Sequence, residues 1–390
     1  MKLHTGMSAK AETDAAVQDA VRAALCDADS PAFALVLCTE QYDPERLAAA
    51  VNAELGSIPW AGCCAAGVSI GTEFLVRGIV VGVLGGRGQR FGVGLGGPVS
   101  QDARGAGRTA VAQAFAPLGA LQPDHSRALI VLPDALTGNA AEVVRGAAHE
   151  AGAGMVWAGG GAGDNMRFVC TTQFALGAAH SDRVVIIAID ADGPIAAAIR
   201  HGWHPYGPTT QVTRAQGATA IELDYESAFD VYRNAATRNG DAVSRKEFAG
   251  FAMTHPLGVP QANGEYVIRN PLAVEESGGL RCVAEVPEGS LVRVMQGDRR
   301  DLLGAARAAA AAAREGVARA LGGAIVFDCV SRYQIHGDHM RDELSAIQAG
   351  LGDDVPLLGC LTFGEVGAID GGAPQFHNKT AVVLALPGES

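Results

Sequence analysis

The feature that most constrains this chain is a pattern it uses three times: a buried strand, a polar turn, an amphipathic helix, and a second strand ending in glycine. The copies span residues 33–62, 128–159 and 324–359. Their spacing differs by only a few residues, which is the signature of one βαβ-like unit repeated within a chain. The last copy is the fullest. It reads as a strand at 324–328, a turn carrying Cys329 and Arg332, a helix over about 338–348, and a strand at 355–359. A glycine-bearing loop with Glu365 and a final strand at 380–386 follow.

A larger repeat is superimposed on the smaller one. A strand at 91–95, Gly97-Pro98 and an alanine-rich helix at 102–115 precede the second copy. A strand at 290–295, Gly297-Asp298 and an alanine-rich helix at 301–319 precede the third. Residues 74–190 and 266–386 therefore read as two versions of one α/β domain. The expected fold is α/β: two similar duplicated domains of strand–helix–strand units with mixed sheets, packed together. The boundaries read as 1–200, a connecting segment at 201–265, and 266–390. Residues 11–25 form an amphipathic helix on the first repeat, and Asp43-Pro44 opens a helix over 44–55. In the connection, Trp203, Pro205, Gly207 and Pro208 predict an irregular loop over 201–208. Residues 211–214 and 220–223 predict a hairpin, and 226–236 a helix. With no low-complexity linker, the halves pack and share a cleft, where pockets prefer to lie.

A 48% hydrophobic and 18% charged composition describes a folded, soluble chain, and its 51 glycines sit at strand ends rather than in tracts. The net charge of −12 argues against nucleic acid and anionic membrane surfaces as partners. No long apolar run or signal-peptide core occurs, so the expected location is the cytoplasm. Eight cysteines without CxxC spacing read as buried free thiols.

Five stretches then become recognisable: 201–232 (HGWHPYGPTTQVTRAQGATAIELDYESAFDVY), CVSR at 329–332, LGCLTFGEVG at 358–367, HNKT at 377–380, and GGGAGDN at 159–165. Together, and in the family's order along the chain, they resemble the FIST family over nearly the whole chain. The resemblance implies paired N- and C-terminal FIST regions and a sensory module for small molecules such as amino acids. It also implies a rival, since some members bind haem, sense nitric oxide and act on histidine kinases. The chain shows no output domain, so its signal is expected to pass to a separate partner.

The candidate ligand site gathers Arg332, Glu365, His377 and Asn378 at one rim of the last unit, beside Cys329. A guanidinium, a carboxylate and an amide there suit a carboxylate or zwitterion held by arginine; the alternative is a structural Arg332–Glu365 ion pair. His201, Trp203, His204, Tyr206 and Arg214 form a second group, either a pocket wall or a plug between domains. Gly159–Gly161 with Asp164 and Asn165 form a third, either a ligand-approaching nest or a tight turn. Cys38 and Cys329 read as equivalent positions of two repeats, as do Cys63 and Cys360. His336-x-x-His339 lacks a visible third ligand, so no metal is assigned. His201, His204 and His377 are candidate haem ligands, although no CxxCH occurs. Cys329, His377 and Glu365 offer an enzyme alternative, but no motif places them in contact, and a sensor is favoured over an enzyme. The reading is a small polar ligand, amino-acid-like or a carboxylate, bound between the halves.

Overall fold

Runs such as Pro31–Thr39, His125–Pro133 and Leu321–Cys329 bury almost every residue, so they need cover on both faces of their sheets. The computed structural model, which describes residues 1–86 and 88–389, supplies it. The first unit is β1 (Lys2–Ser8), α1 (Thr13–Leu25), β2 (Pro31–Thr39), α2 (Pro44–Leu55), β3 (Trp60–Ala65), β4 (Val68–Ile70), β5 (Glu73–Leu75) and β6 (Ile79–Gly85). The second is β7 (Arg90–Gly96), α3 (Ala103–Phe115), β8 (His125–Pro133), α4 (Ala140–Ala151), β9 (Val156–Gly159), β10 (Gln173–Ala175), β11 (Ala178–His180) and β12 (Val184–Asp192).

The third unit begins with β13 (Ala196–Arg200) and is then interrupted. The insertion holds β14 (His204–Gln216), β15 (Thr219–Leu223), β16 (Glu226–Ser227), α5 (Ala228–Arg238), α6 (Phe248–Thr254), β17 (Leu257–Pro260), β18 (Tyr266–Arg269), β19 (Pro271–Val274), β20 (Leu280–Cys282) and β21 (Leu291–Gln296). The unit resumes with α7 (Arg299–Glu315), β22 (Leu321–Cys329), α8 (Val330–His336), α9 (Met340–Leu351), β23 (Leu357–Thr362), β24 (Glu365–Gly367), β25 (Gln375–His377) and β26 (Ala381–Pro387).

The three units share one topology. Their strand orders are β1-β6-β2-β3, β7-β12-β8-β9 and β13-β26-β22-β23. In each, the two strands of the repeated motif are parallel and the closing strand returns antiparallel. The ladders agree in detail: the N–H groups of Thr39, Asp134 and Cys329 donate to the carbonyls of Gly78, Arg183 and Thr380 at 2.9, 2.8 and 3.1 Å. Thr39 is thus the counterpart of Cys329, and Cys38 that of Asp328. The expected Cys38–Cys329 equivalence was one residue out of register, whereas Cys63 does correspond to Cys360.

Each unit also reaches into a neighbour. β4 pairs with β23 and β10 with β3, while Gly160 bridges to Glu365 at the start of β24. One sheet face of every unit therefore meets a common core containing Leu35 and Leu37, Ile130 and Leu132, and Ile325 and Phe327. The other faces are covered by α1 and α2, by α3 and α4, and by α7 and α9.

The duplicated α/β architecture expected from sequence is present, with α3 and α7 in corresponding places. The strand expected at 290–295 is β21, which pairs with β14 and β17 inside the insertion; β13 takes the edge position of the third unit. The segment around 201–208 is more regular than expected. β14 runs through it, and the ladder breaks between Pro205 and Thr209, where the prolines lack N–H donors. The insertion has its own core around Phe229, Tyr232 and Phe248.

Candidate functional site

Arg332 is not on a turn. Helix α8 begins directly after Cys329 and carries Arg332 into full burial. Its guanidinium donates Nε to Glu343 Oε1 at 2.8 Å and also bonds it through Nη2; Nε lies 3.1 Å from Asp328 Oδ1. Two further donations reach the carbonyls of His201 (3.0 Å) and Leu302 (2.9 Å). Burial opposes the charge, but Glu343 and Asp328 keep the guanidinium protonated. Burial also works against the Glu343 carboxylate, yet Arg332 and His336 hold its pKa below the usual value. Burial and the neighbouring Glu343 push the Asp328 pKa well up against the pull of Arg332. The ion pair expected between Arg332 and Glu365 is therefore an Arg332–Glu343 pair. Every guanidinium nitrogen of Arg332 is bonded within the protein, so Arg332 is not presented to a ligand.

Glu365 accepts from Thr362 Oγ1 (2.8 Å), Thr380 Oγ1 (2.7 Å) and Thr380 N–H (3.1 Å). Burial raises its pKa to about 7 against these bonds. His377 lies opposite Glu365 in the β24–β25 ladder, with Nε2 3.2 Å from the Gly367 carbonyl. Burial and Arg269 lower its pKa to about 3. Asn378 Nδ2 donates to the His377 carbonyl. The Cys329 thiol accepts from Ser331 Oγ at 3.1 Å, and burial raises its pKa to about 12. A buried neutral thiol and a histidine bonded elsewhere are not an activated nucleophile with its base.

Sequence reasoning missed Lys379, the lysine of HNKT. It is buried on strand-entry backbone, and Nζ donates to the Met253 carbonyl at 3.0 Å and sits 5.4 Å from the Trp203 ring centroid. Burial lowers its pKa to about 8. Trp203 Nε1 returns a bond to the Lys379 carbonyl at 3.1 Å.

In front of this buried layer lies an open cleft of about 570 Å³, floored by His201, Gly202 and Trp203. Glu265 and Tyr266 form one wall and the first turns of α7 the other, with Arg200, Arg300 and Asp301 at the rim. His201 has a defined tautomer. The Trp203 N–H donates to Nδ1 at 2.9 Å, so the proton of the neutral ring is on Nε2. Burial and then Arg332 lower its pKa to about 4, which keeps the ring neutral at pH 7. Nε2 is buried without a hydrogen-bond partner, 3.9 Å from Glu265 Oε2.

Of the residues singled out from sequence, His201 and Trp203 line this cleft, with His204 beside them. Arg332, Glu365, His377, Asn378 and Cys329 form the packed layer behind it. Arg214 is a surface residue paired with Glu222 at 2.7 Å. Asp164 lies elsewhere, accepting the N–H groups of Phe168, Val169 and Cys170, while Asn165 Nδ2 donates to the Val76 carbonyl. The glycines before them serve the contact between units. Gly161 N–H donates to Gly364 and Gly163 N–H to Cys64, and a Cβ on Gly160 would meet Thr362 at 2.6 Å. His336 Nε2 lies against the Glu343 carboxylate. Of the haem-ligand candidates, His201 and His204 line the cleft and His377 is buried behind it.

Fold and cleft define a three-unit α/β protein with a ligand-sized hollow at its insertion. The chain belongs to the FIST family: residues 32–226 match the FIST N domain and 228–368 the FIST C domain. These domains are sensory modules that bind small ligands in signalling proteins. Arg200–Pro205 of the cleft fall in the first match and its other lining residues in the second. Among solved structures, the chain is similar to a cyanuric acid hydrolase from A. caulinodans at 13% identity and a TM-score of 0.27, over 49% of this chain and 72% of that one. No curated protein matches. No helix among the described residues is long and apolar enough to cross a membrane.

Proposed function

We propose that this protein is a cytoplasmic sensor whose cleft at His201 binds a small amino-acid-like or carboxylate ligand and whose bound state is read by a signalling partner such as a histidine kinase. The observation that carries the reading is the unpartnered Nε2–H of His201. A buried donor without an acceptor costs roughly 1–3 kcal/mol, which a ligand oxygen recovers on binding. A cleft of this volume falls within the usual range for small ligands of about 300–1,000 Å³. Its rim carries both signs of charge: Glu265 and Asp301 suit an ammonium group, and Arg300 a carboxylate. The bound state has a route inward, because Arg332 holds the His201 carbonyl and Lys379 the Trp203 ring.

Isothermal titration against the amino acids and small dicarboxylates tests this. Wild-type protein should bind at least one of them, with His201→Phe and Glu265→Gln each weakening it at least tenfold. Unchanged affinity in both variants places the ligand elsewhere, and that result overturns the assignment.

A further inference from the structure

A second hollow, of about 250 Å³, lies between the first unit and the segment from Asp164 to Phe174 of the second, and plays no part in the reading above. Three of the chain's eight cysteines line it: Cys38, Cys64 and Cys170. Cys38 lies near the end of β2 and Cys64 near the end of β3, and the two are register partners on parallel strands. Register partners point to the same sheet face, and their thiols interact side chain to side chain. Cys63, one residue earlier, points to the opposite face and is buried in the common core. Glu40 lines the same hollow, and its Oε2 is buried without a hydrogen-bond partner.

We propose that Cys38 and Cys64 form a binding site for a soft, thiophilic metal ion in a two-coordinate arrangement. Adjacent strands lie about 4.8 Å apart. Two collinear metal–sulfur bonds of about 2.3 Å each span roughly 4.6 Å, close to that strand spacing. Thiolate ligands select soft ions such as Cu(I). Among the described residues no group of three His, Cys, Asp or Glu side chains is preassembled around a metal position; this argues for two-coordination and against a tetrahedral zinc site. Each thiol releases its proton to solvent as its metal–sulfur bond forms, and no atom is oxidised or reduced. A Cu(I) ion with two thiolates carries one net negative charge. Arg167 and the N-terminus of α2, whose Pro44 also lines the hollow, oppose that charge, while Glu40 and Asp164 in the same lining add to it.

The test is anaerobic titration of the reduced full chain with Cu(I) against a bicinchoninate competitor. Wild-type protein should withdraw one Cu(I) per chain. Cys38→Ser and Cys64→Ser should each lower the affinity at least tenfold, while the exposed Cys26→Ser and the core Cys63→Ala leave it unchanged. X-ray absorption of the loaded wild type, which requires no variant to fold, should show two sulfur neighbours. No withdrawal by folded wild-type protein, binding undiminished in both serine variants, or a copper environment of nitrogen and oxygen overturns the proposal.

Discussion

Arg332 shows how far a single residue can be read in advance. From sequence it reads as a ligand-binding arginine on a polar turn, with an ion pair to Glu365 as the alternative; in the fold it is a buried ion-pair residue. The partner is Glu343, which stands on the apolar stripe of α9 with Met340, Leu344 and Ile347. A carboxylate on a buried helical stripe is itself a signal, but which arginine it meets depends on the crossing of α8 and α9. Removing one partner of a buried pair leaves the other charge uncompensated. Arg332→Met is therefore expected to destabilise the fold by about 3–5 kcal/mol, measured by urea unfolding. Glu365 gives a pH signature of definite sign. Its folded pKa is raised from 4.5 to about 7 by burial. Between those values the folded state holds the extra proton, so its contribution is full below pH 4.5 and falls as pH rises to 7. Wild type should thus lose stability relative to Glu365→Gln across pH 4.5–7, by about 3 kcal/mol at most; flat difference curves would refute the shift. His377 has the opposite sign. Its pKa is lowered to about 3, so its contribution is full above pH 6.5 and lost on acidification.

Among the elements, helices with strong periodicity or a capping proline were legible, and α2 was read to the residue. What the pattern did not carry was how closely β7 approaches α3. Gly92, Gly94 and Gly96 alternate along the strand, and a Cβ on each would meet the carbonyls of Ala114, Ala110 and Ala106 at 1.9, 1.8 and 1.9 Å. A strand period of two residues thus runs alongside a helix period of four, with small residues on both sides. The sequence GVGLG reads as strand with weak propensity, and only the packed pair explains it. Gly94→Ala forces the elements apart and should cost about 3 kcal/mol, the upper end for overpacking. Gly250→Ala, on helix α6 with open space around its Cβ position, should instead stabilise by about 0.5–1 kcal/mol. Paired thermal unfolding curves check both signs. Helix α8 was missed for a different reason: seven residues are too few for a period to show.

At the scale of the whole molecule, the threefold use of one unit was visible in the spacing of its motifs. The lending of strands between units was not, because β4, β10 and β24 are three residues each and carry no address. That exchange makes the units mutually dependent. A chain ending at residue 200 would leave β13 without β26, Gly160 and Gly161 without Glu365 and Gly364, and β4 without β23. Expressed alone, it should show no cooperative unfolding transition, while the full chain should show it in calorimetry. The insertion's position was equally hidden, since β21 resembles the edge strand that β13 provides. Its placement matters for function, because the insertion brings Glu265 and Tyr266 against α7 and so creates the cleft. The most direct check of the account is a crystal structure of the chain with its tightest-binding amino acid or carboxylate. The account predicts a ligand oxygen within hydrogen-bond distance of His201 Nε2 and the ligand's body between Glu265 and α7. A ligand seated at any other surface, with His201 Nε2 still unpartnered, would contradict it.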